Sequence, residues 1–251
     1  MRINRDPFNE KFTNNNAPHW NCSSCENGKI IFDRKDVTIY ETKESKKDRD
    51  NRDWEPYWLD QYFTGKMQCN NISCKEIYII SGKIIVHEAY EEEYKGDYQE
   101  CFYPNYIFPI IYLFDLPKEL PIEVKKLTID AFKLFWVDKS ACANAIRTTV
   151  ESILNDKKIP KTVLTKKKKR INLSLHERIE KFEIKKPEIV KSLMAVKWIG
   201  NAGSHIGGIY NKDLLDGFDI LKYSFEKLYT SHDKAITKII KTINKRRKPL
   251  I

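Results

Sequence analysis

The chain has 251 residues, of which 41% are hydrophobic and 12% aromatic, so it is long enough to bury the core of one large domain or two small ones. It contains no apolar run of roughly 18 residues, which excludes a transmembrane helix, and its first residues, MRINRDPFNEKF, lack the apolar stretch of a secretory signal. We therefore expect a cytoplasmic protein without a membrane partner.

The net charge of +10 at pH 7 is concentrated in the second part of the chain. From Pro160 onward there are 22 lysine and arginine residues against 9 aspartate and glutamate residues, whereas residues 1–159 contain 23 against 26. This asymmetry favours a polyanionic partner such as RNA or another nucleic acid. A lysine-rich surface that keeps the protein soluble is the alternative explanation.

Strand patterns and loops dominate the first half of the chain. The segments KIIF and VTIYE are short strand candidates. The segment EIYIISGKIIVHEAYEEE has two β-branched runs on either side of Ser81-Gly82, a pattern that predicts a β-hairpin. The charged segment KESKKDRDNRD predicts an exposed loop.

Helical patterns begin after the proline-rich segment FYPNYIFPIIYLFDLPKELP. Pro121 suits the first turn of a helix, and a second helix is predicted over about Ser140 to Asn155, where apolar residues recur on one face. Ser174 and Glu177 form the S-x-x-E pattern of a capping box at the start of another helix. Further helix starts are predicted at Pro187, Asn211 and Ser231.

The change from strand patterns to helix patterns predicts an α+β protein with two domains. A β region is expected over residues 1–115 and a helical region over residues 116–251. Five or six helices in about 130 residues are typical of a helical bundle.

Four cysteines occur as two close pairs, Cys22 and Cys25 in CSSC and Cys69 and Cys74 in CNNISC. Because cytoplasmic thiols stay reduced, paired cysteines indicate a metal site before a disulfide. Two such turns can supply four thiolates to one tetrahedral ion, and zinc suits that donor set. Four thiolates leave no open position, so the zinc is expected to be structural. His19 is a weaker alternative ligand, and four unrelated thiols are the other alternative.

The segment TKKKKR predicts a basic loop. Its candidate phosphate-binding residues are Lys166, Lys167, Lys168, Lys169 and Arg170. Each phosphate contact would make nucleic-acid binding sensitive to salt. No aromatic residue is interleaved with this run, so it does not indicate recognition of particular bases. A solvated loop is the alternative.

Several motifs occur in a fixed order, namely CSSC, CNNISC, the proline-rich bridge, SACANAIRTTVESIL and KWIGNAGSHIGG. In this order they resemble the bacterial family called domain of unknown function 4145, over most of the chain. The resemblance assigns Arg147 and Glu151 to an alanine-rich helix, where their spacing allows an ion pair. It assigns Gly200 and Asn201 to a turn at the end of a later helix, followed by His205.

That family is similar to the HEPN superfamily of helical domains. The resemblance therefore implies a zinc-knuckle β region followed by a HEPN-like bundle, and a role in prokaryotic defence or stress response. It also implies a homodimer and a protein partner in a defence system. Many HEPN domains are metal-independent endoribonucleases with an arginine, often an asparagine next, and then a histidine. Here Asn201 and His205 have the matching spacing, and Gly200 stands at the arginine position.

Two functional hypotheses follow from this resemblance. In the enzymatic one, His205 is the general base or acid, Asn201 orients it, and Lys197 or Arg147 binds the phosphate. In the alternative, the protein is a non-catalytic module that binds nucleic acid or a partner protein, and His205 has a structural role. Arg170 and His176 also match the arginine–histidine spacing of the ribonucleases. One such match is no more than chance predicts in a chain with this many arginine and histidine residues, so it does not indicate a site.

Overall fold

We describe a computed structural model of the protein, covering residues 2–25, 27–88, 98–183, 186–202 and 208–230 together with Thr242 and Lys245. The strands are β1 (Trp20–Asn21), β2 (Lys29–Glu41), β3 (Asp60–Cys69), β4 (Ile77–Glu88), β5 (Tyr98–Phe108), β6 (Thr162–Leu164) and β7 (Arg170–Asn172). The helices are α1 (Lys43–Asp48), α2 (Ile122–Val137), α3 (Lys139–Asp156), α4 (Leu175–Phe182), α5 (Pro187–Ala202) and α6 (Asn211–Tyr229). An antiparallel sheet followed by helices confirms the predicted α+β class. Within the residues described, no helix is both long enough and apolar enough to cross a bilayer.

The chain divides into two compact units. The sheet unit comprises Asn4–Leu113 and Phe132–Asp138. The helical unit comprises Met1–Ile3, Phe114–Ala131 and Lys139–Ile251.

In the sheet unit, β1 to β5 form one antiparallel sheet in chain order. Side chains alternate between a buried and an exposed face, as a half-buried sheet requires. Aromatic rings fill the buried side around Phe102, which stacks on Phe12 with 5.5 Å between ring centroids and meets Phe63 edge-on at 5.2 Å.

The predicted hairpin around Ser81-Gly82 is wrong. Both residues lie inside β4, a single strand that pairs with β3 on one side and β5 on the other. The register with β5 shifts between Ser81 and Gly82. A Cβ atom on Gly82 would lie 2.0 Å from the carbonyl oxygen of Tyr103, so this glycine permits a close approach of β5 and does not form a turn.

Two other predictions for the first half also need correction. The strand candidates KIIF and VTIYE belong to one strand, β2, whose register with β3 shifts between Phe32 and Val37. The charged segment predicted as a loop contains the short helix α1, which Thr42 caps by accepting a hydrogen bond from the Ser45 backbone N–H.

In the helical unit, α3 packs against α5 and α6, and α4 packs against α5. The apolar face predicted for the second helix is buried, as shown by Ile146, Val150 and Ile153, none of which has exposed area. The opposing residues of α6 include Phe218 and Phe225, which are also fully buried. Helix periodicity thus identified the core-facing side of α3 correctly.

Most predicted helix starts agree with the structure. The capping box at Ser174 is present, because its backbone N–H donates to Glu177 Oε2 at 2.7 Å and its Oγ accepts from the Glu177 N–H at 3.3 Å. Pro187 opens α5, and Asn211 is the first residue of α6 with Tyr210 at the cap position. Ser231 and the helix start predicted there lie outside the described residues.

Candidate functional site

Four thiols of the sheet unit converge on one point: Cys22, Cys25, Cys69 and Cys74. Their Sγ atoms all lie within 4.8 Å of one another, with 3.9 Å between Cys22 and Cys74 and 3.7 Å between Cys25 and Cys69. A tetrahedral zinc–thiolate site with Zn–S bonds of about 2.3 Å places its sulfur atoms roughly 3.8 Å apart. The four cysteines could therefore hold one metal ion, and His19 is not part of the group.

The sheet topology explains how two cysteine pairs separated by 43 intervening residues come together. Cys22 follows β1, Cys69 ends β3, and β2 pairs with both of these strands, so the two turns lie at the same end of the sheet. Backbone hydrogen bonds fix this end, since the Cys22 N–H donates to the Gly28 carbonyl and the Cys69 N–H donates to the Glu76 carbonyl, both at 2.9 Å. The residues between the two cysteine pairs form β2, α1 and β3, so the chain leaves the site along β2 and returns to it along β3.

Gly28 is the residue that leaves room for the sulfur atoms. A Cβ atom at this position would lie 2.1 Å from Cys69 Sγ and 2.8 Å from Cys25 Sγ. Separations that short are incompatible with non-bonded atoms, so a side chain here would displace two of the four thiols. The glycine and the cysteines therefore form one structural unit.

Hydrogen bonds and burial act differently on the individual thiols. Burial raises the pKa of Cys22, but hydrogen bonds from the Tyr78 hydroxyl and from backbone N–H groups outweigh burial and lower it to about 7. The Tyr78 oxygen lies 3.4 Å from Cys22 Sγ and accepts the Ser23 N–H at 3.0 Å, which fixes its position. Burial raises the pKa of Cys69 to about 12. If all four cysteines were thiolates, their charge would need a compensating cation, which a divalent metal ion could supply.

The remaining cysteines are separate from this cluster. All six thiols of the chain are free, and Cys101 and Cys142 are fully buried. Cys142 Sγ donates a hydrogen bond to the Ala131 carbonyl at 3.2 Å. Cys142 therefore acts as a small buried residue that packs in the core.

The predicted catalytic group is only partly within the described chain. His205 lies outside the described residues. Asn201 and Gly200 were predicted in a turn, but both lie in α5, which continues to Ala202. This prediction of a turn is therefore wrong, and Gly200 does not serve to reverse the chain direction.

Gly200 instead allows α3 and α5 to approach each other closely. A Cβ atom at Gly200 would lie 2.5 Å from Arg147 Cβ and 3.0 Å from the Ala143 carbonyl oxygen. Both of these atoms are held by the α3 backbone and cannot move aside as a flexible side-chain end could. Position 200, which the family resemblance aligns with the HEPN arginine, is thus closed to any side chain unless the two helices separate.

Arg147 and Glu151 do not form the ion pair that their spacing allows. Within the described part of the chain, no ion pair involves Arg147, and its buried Nε has no hydrogen-bond partner. Glu151 lines a cavity of about 400 Å³ between residues of α2 and α3, together with Asn155 and Asp156. Glu151 therefore lines a cavity of the helical unit and does not pair with Arg147.

The basic segment forms the turn of a two-stranded hairpin, β6–β7. Backbone hydrogen bonds of 2.9 Å close the turn, from the Thr165 N–H to the Lys169 carbonyl and from the Lys168 N–H to the Thr165 carbonyl. Lys168 adopts a positive φ of 58° at the tip. The predicted phosphate-binding residues Lys166, Lys167, Lys168, Lys169 and Arg170, named here the basic hairpin tip, are all exposed. In the described structure none of them pairs with a carboxylate.

Comparison with known families gives two matches. Residues 10–108 match the family described as Domain of unknown function (DUF8608), and residues 130–246 match the family described as Domain of unknown function (DUF4145). The second match supports the DUF4145 family for the second part of the chain. This confirms the resemblance inferred from the order of the motifs. No curated protein and no solved structure matches the chain.

The two matched regions separate the two candidate sites. The DUF8608 region contains all four clustered cysteines, and the DUF4145 region contains the basic hairpin tip and the predicted catalytic residues. The original sequence motifs therefore fall on two different families, although a single family resemblance was inferred for most of the chain.

Within the DUF4145 region, the structure brings together a group that sequence reasoning missed. Lys197 Nζ lies 3.2 Å from His176 Nδ1 and 3.7 Å from the ring centroid of Trp198. His176 Nε2 lies 3.2 Å from Glu180 Oε1, one helical turn further along α4. The i, i+4 spacing of His176 and Glu180 is visible in the sequence, but no sequence signal predicts their contact with α5. The Lys197 side chain thus contacts His176 of α4.

Proposed function

We propose that the protein binds RNA through its helical unit and that the four cysteines hold a structural zinc ion in the sheet unit. The basic hairpin tip is the observation that carries the first part. Five adjacent positive charges stand at one exposed turn, with no carboxylate partner among the described residues. Such a turn can approach the phosphate backbone without first breaking ion pairs.

The geometry favours a binding module over the ribonuclease. The arginine position of the HEPN motif is occupied by Gly200, and the α3–α5 contact excludes a side chain there. Lys197, the substitute cation considered from sequence, contacts His176 and Trp198. A metal-independent endoribonuclease that uses His205, Asn201 and Arg147 remains the alternative function.

Zinc is proposed because its preferred donors and geometry match the cluster. Four thiolates at tetrahedral separations suit a metal that needs no redox chemistry and no open coordination position. The expected role is to hold the ends of β1 and β3 together. Free thiols suit a reducing compartment, so we propose the cytoplasm as the location.

A salt titration of RNA binding tests the first part. Binding of fluorescent single-stranded RNA is measured by anisotropy for the wild type and for a triple variant, Lys166→Gln, Lys167→Gln and Lys169→Gln. The slope of log K against log salt should become less negative by roughly 2 in the variant, since each lost phosphate contact removes about 0.7. Neutralising three lysines of α1, at positions 43, 46 and 47, is the matched control and should leave the slope unchanged. Equal slopes for both triple variants would contradict the proposal.

The enzymatic alternative is tested in the same preparation. Labelled RNA is incubated with the protein in EDTA, beside a His205→Ala variant. Cleavage that survives chelation and disappears in the variant would establish the ribonuclease. Elemental analysis tests the zinc proposal, for which we expect one zinc ion per chain and loss of that ion in Cys25→Ser.

The family resemblance also motivates two proposals about assembly. We propose that the protein acts in prokaryotic defence or stress response with a protein partner, and that it forms a homodimer. Sedimentation equilibrium should then give twice the mass of one chain, and a monomer at all concentrations would refute the dimer.

A further inference from the structure

Trp198 presents a large apolar side chain to solvent on a helix whose other apolar residues are mostly buried. Its exposed fraction is 57%, whereas Leu193 and Val196 of the same helix have no exposed area. The other four tryptophans of the chain are buried or half-buried. An exposed indole keeps a large apolar and aromatic surface in water, where it is accessible to a partner.

Contacts to neighbouring polar groups hold the indole in place. The Lys197 ammonium lies 3.7 Å from the ring centroid, within the range of a cation–π interaction. The imidazole of His176 packs against Trp198 with 6.3 Å between ring centroids and an interplanar angle of 64°. These contacts fix the orientation of the ring and leave more than half of the residue accessible.

The position of Lys197 is itself fixed by α4. Its Nζ donates to His176 Nδ1 at 3.2 Å, which requires that the neutral imidazole carry its proton on Nε2, and this Nε2–H faces Glu180 Oε1 at 3.2 Å. No ion pair among the described residues involves Lys197. Lys197 is itself buried, so its ammonium is held between His176 and the indole and serves to fix the ring.

The nearby sequence places this group close to the basic hairpin tip. Arg170 begins β7 and His176 lies six residues later in α4, so their Cα atoms are at most about 20 Å apart. An aromatic surface beside lysines matches the chemistry of single-stranded nucleic acid, in which unpaired bases stack on aromatic rings and phosphates contact cations. A duplex offers phosphates but keeps its bases stacked on each other.

We infer that Trp198 is a stacking platform for an unpaired base of single-stranded RNA, with the basic hairpin tip binding the phosphates on the same strand. This inference rests on the proposed RNA-binding function and adds a residue that contacts the base. His176 and Glu180 are positioning residues, because they act by orienting Lys197.

The test compares Trp198→Ala and Trp198→Phe with Tyr223→Ala, which removes an exposed aromatic residue of α6 in the same unit. Binding of a short oligo(A) RNA is measured by anisotropy in the full-length protein over a salt series. Trp198→Ala should weaken binding roughly 5- to 100-fold, the range for one stacked base, without changing the salt slope. Trp198→Phe should recover part of the loss, and Tyr223→Ala should bind as the wild type does. RNA should also quench the tryptophan emission of the wild type more strongly than that of Trp198→Phe.

Three results would overturn the inference. Wild-type affinity in Trp198→Ala, with a salt slope that still depends on the basic hairpin tip, would remove the stacking platform and leave the proposed function intact. Equal loss of duplex and single-strand binding in Trp198→Ala would show that no unpaired base is recognised. Absence of RNA binding in the wild type would overturn both proposals.

Discussion

Replacing Gly200 with alanine should destabilise the helical unit, although alanine is the better helix former. In an exposed helix the change would gain about 1 kcal/mol. Here the new Cβ would lie 2.5 Å from Arg147 Cβ and 3.0 Å from the Ala143 carbonyl oxygen, whereas carbon atoms pack best at about 3.5–4.0 Å. Because both opposing atoms belong to the α3 framework, α5 must shift, and overpacking of this kind costs about 1–3 kcal/mol. The net result is a loss of up to about 2 kcal/mol.

Gly217 supplies the matched control, since it is also a buried glycine inside a helix of the same unit. A Cβ atom there would meet Ile199 Cγ2 at 3.5 Å and Ile146 Cδ1 at 3.6 Å, which is ordinary contact. Gly217→Ala should therefore be neutral or stabilising by up to about 1 kcal/mol. Urea unfolding of the full chain, followed by the helical circular dichroism signal, should separate the two variants by about 1–3 kcal/mol. Equal stabilities would refute the close contact between α3 and α5.

Three further predictions concern the cap, the metal centre and the metal itself. Ser174→Ala should lower the free energy of unfolding by about 1 kcal/mol at neutral pH. Hydrogen bonds from Ser174, chiefly from its backbone N–H, hold the pKa of Glu177 below its ordinary value of 4.5, so the stability they confer is present above that pH and lost as the pH falls through the lowered pKa. Because Ser174→Ala keeps this N–H and loses only the Oγ that accepts the Glu177 N–H, the difference between the two proteins should persist in acid. Tyr78→Phe removes the hydroxyl beside Cys22 and should weaken zinc binding about tenfold in a chelator competition, whereas Tyr62→Phe, on the exposed face, should not. Removing the metal with a strong chelator should increase amide hydrogen exchange in the strands that carry the cysteines, and a lack of change would contradict a structural role.

Local signals in the sequence predicted the features that depend on neighbouring residues. The S-x-x-E pattern identified the cap at Ser174 because both partners lie within one turn of helix. The spacing of Ile146 and Val150 identified the buried face of α3 because helix periodicity alone determines which side chains share a face. The close spacing within each cysteine pair indicated a shared site for the same reason.

Features that depend on tertiary contacts were not accessible in this way. A Ser-Gly pair between two β-branched runs is typical of a hairpin, but the same glycine also suits a strand that a neighbour approaches closely, and only the position of Tyr103 distinguishes the two. Similarly, Gly200 next to Asn201 suggests a turn, whereas the contact with Arg147 shows a packing position inside a helix. The contact between Lys197 and α4 joins residues 21 apart, which no helical spacing encodes.

The contact between Gly200 and Arg147 also determines which cation a ribonuclease of this sequence would have to use. The aliphatic stem of Arg147 lies where a side chain at position 200 would begin, with Cβ at 2.5 Å and Cδ at 3.4 Å from the Cβ site of Gly200. An arginine on α5 and Arg147 on α3 would thus compete for the same space, and this chain has only the second. In the ribonuclease alternative, the guanidinium would therefore have to come from Arg147 of α3, because Lys197 points to His176 and lacks the planar fork that binds phosphate in two places. The ribonuclease alternative consequently depends on Arg147, and introducing an arginine at position 200 would disrupt the helix contact without adding a usable cation.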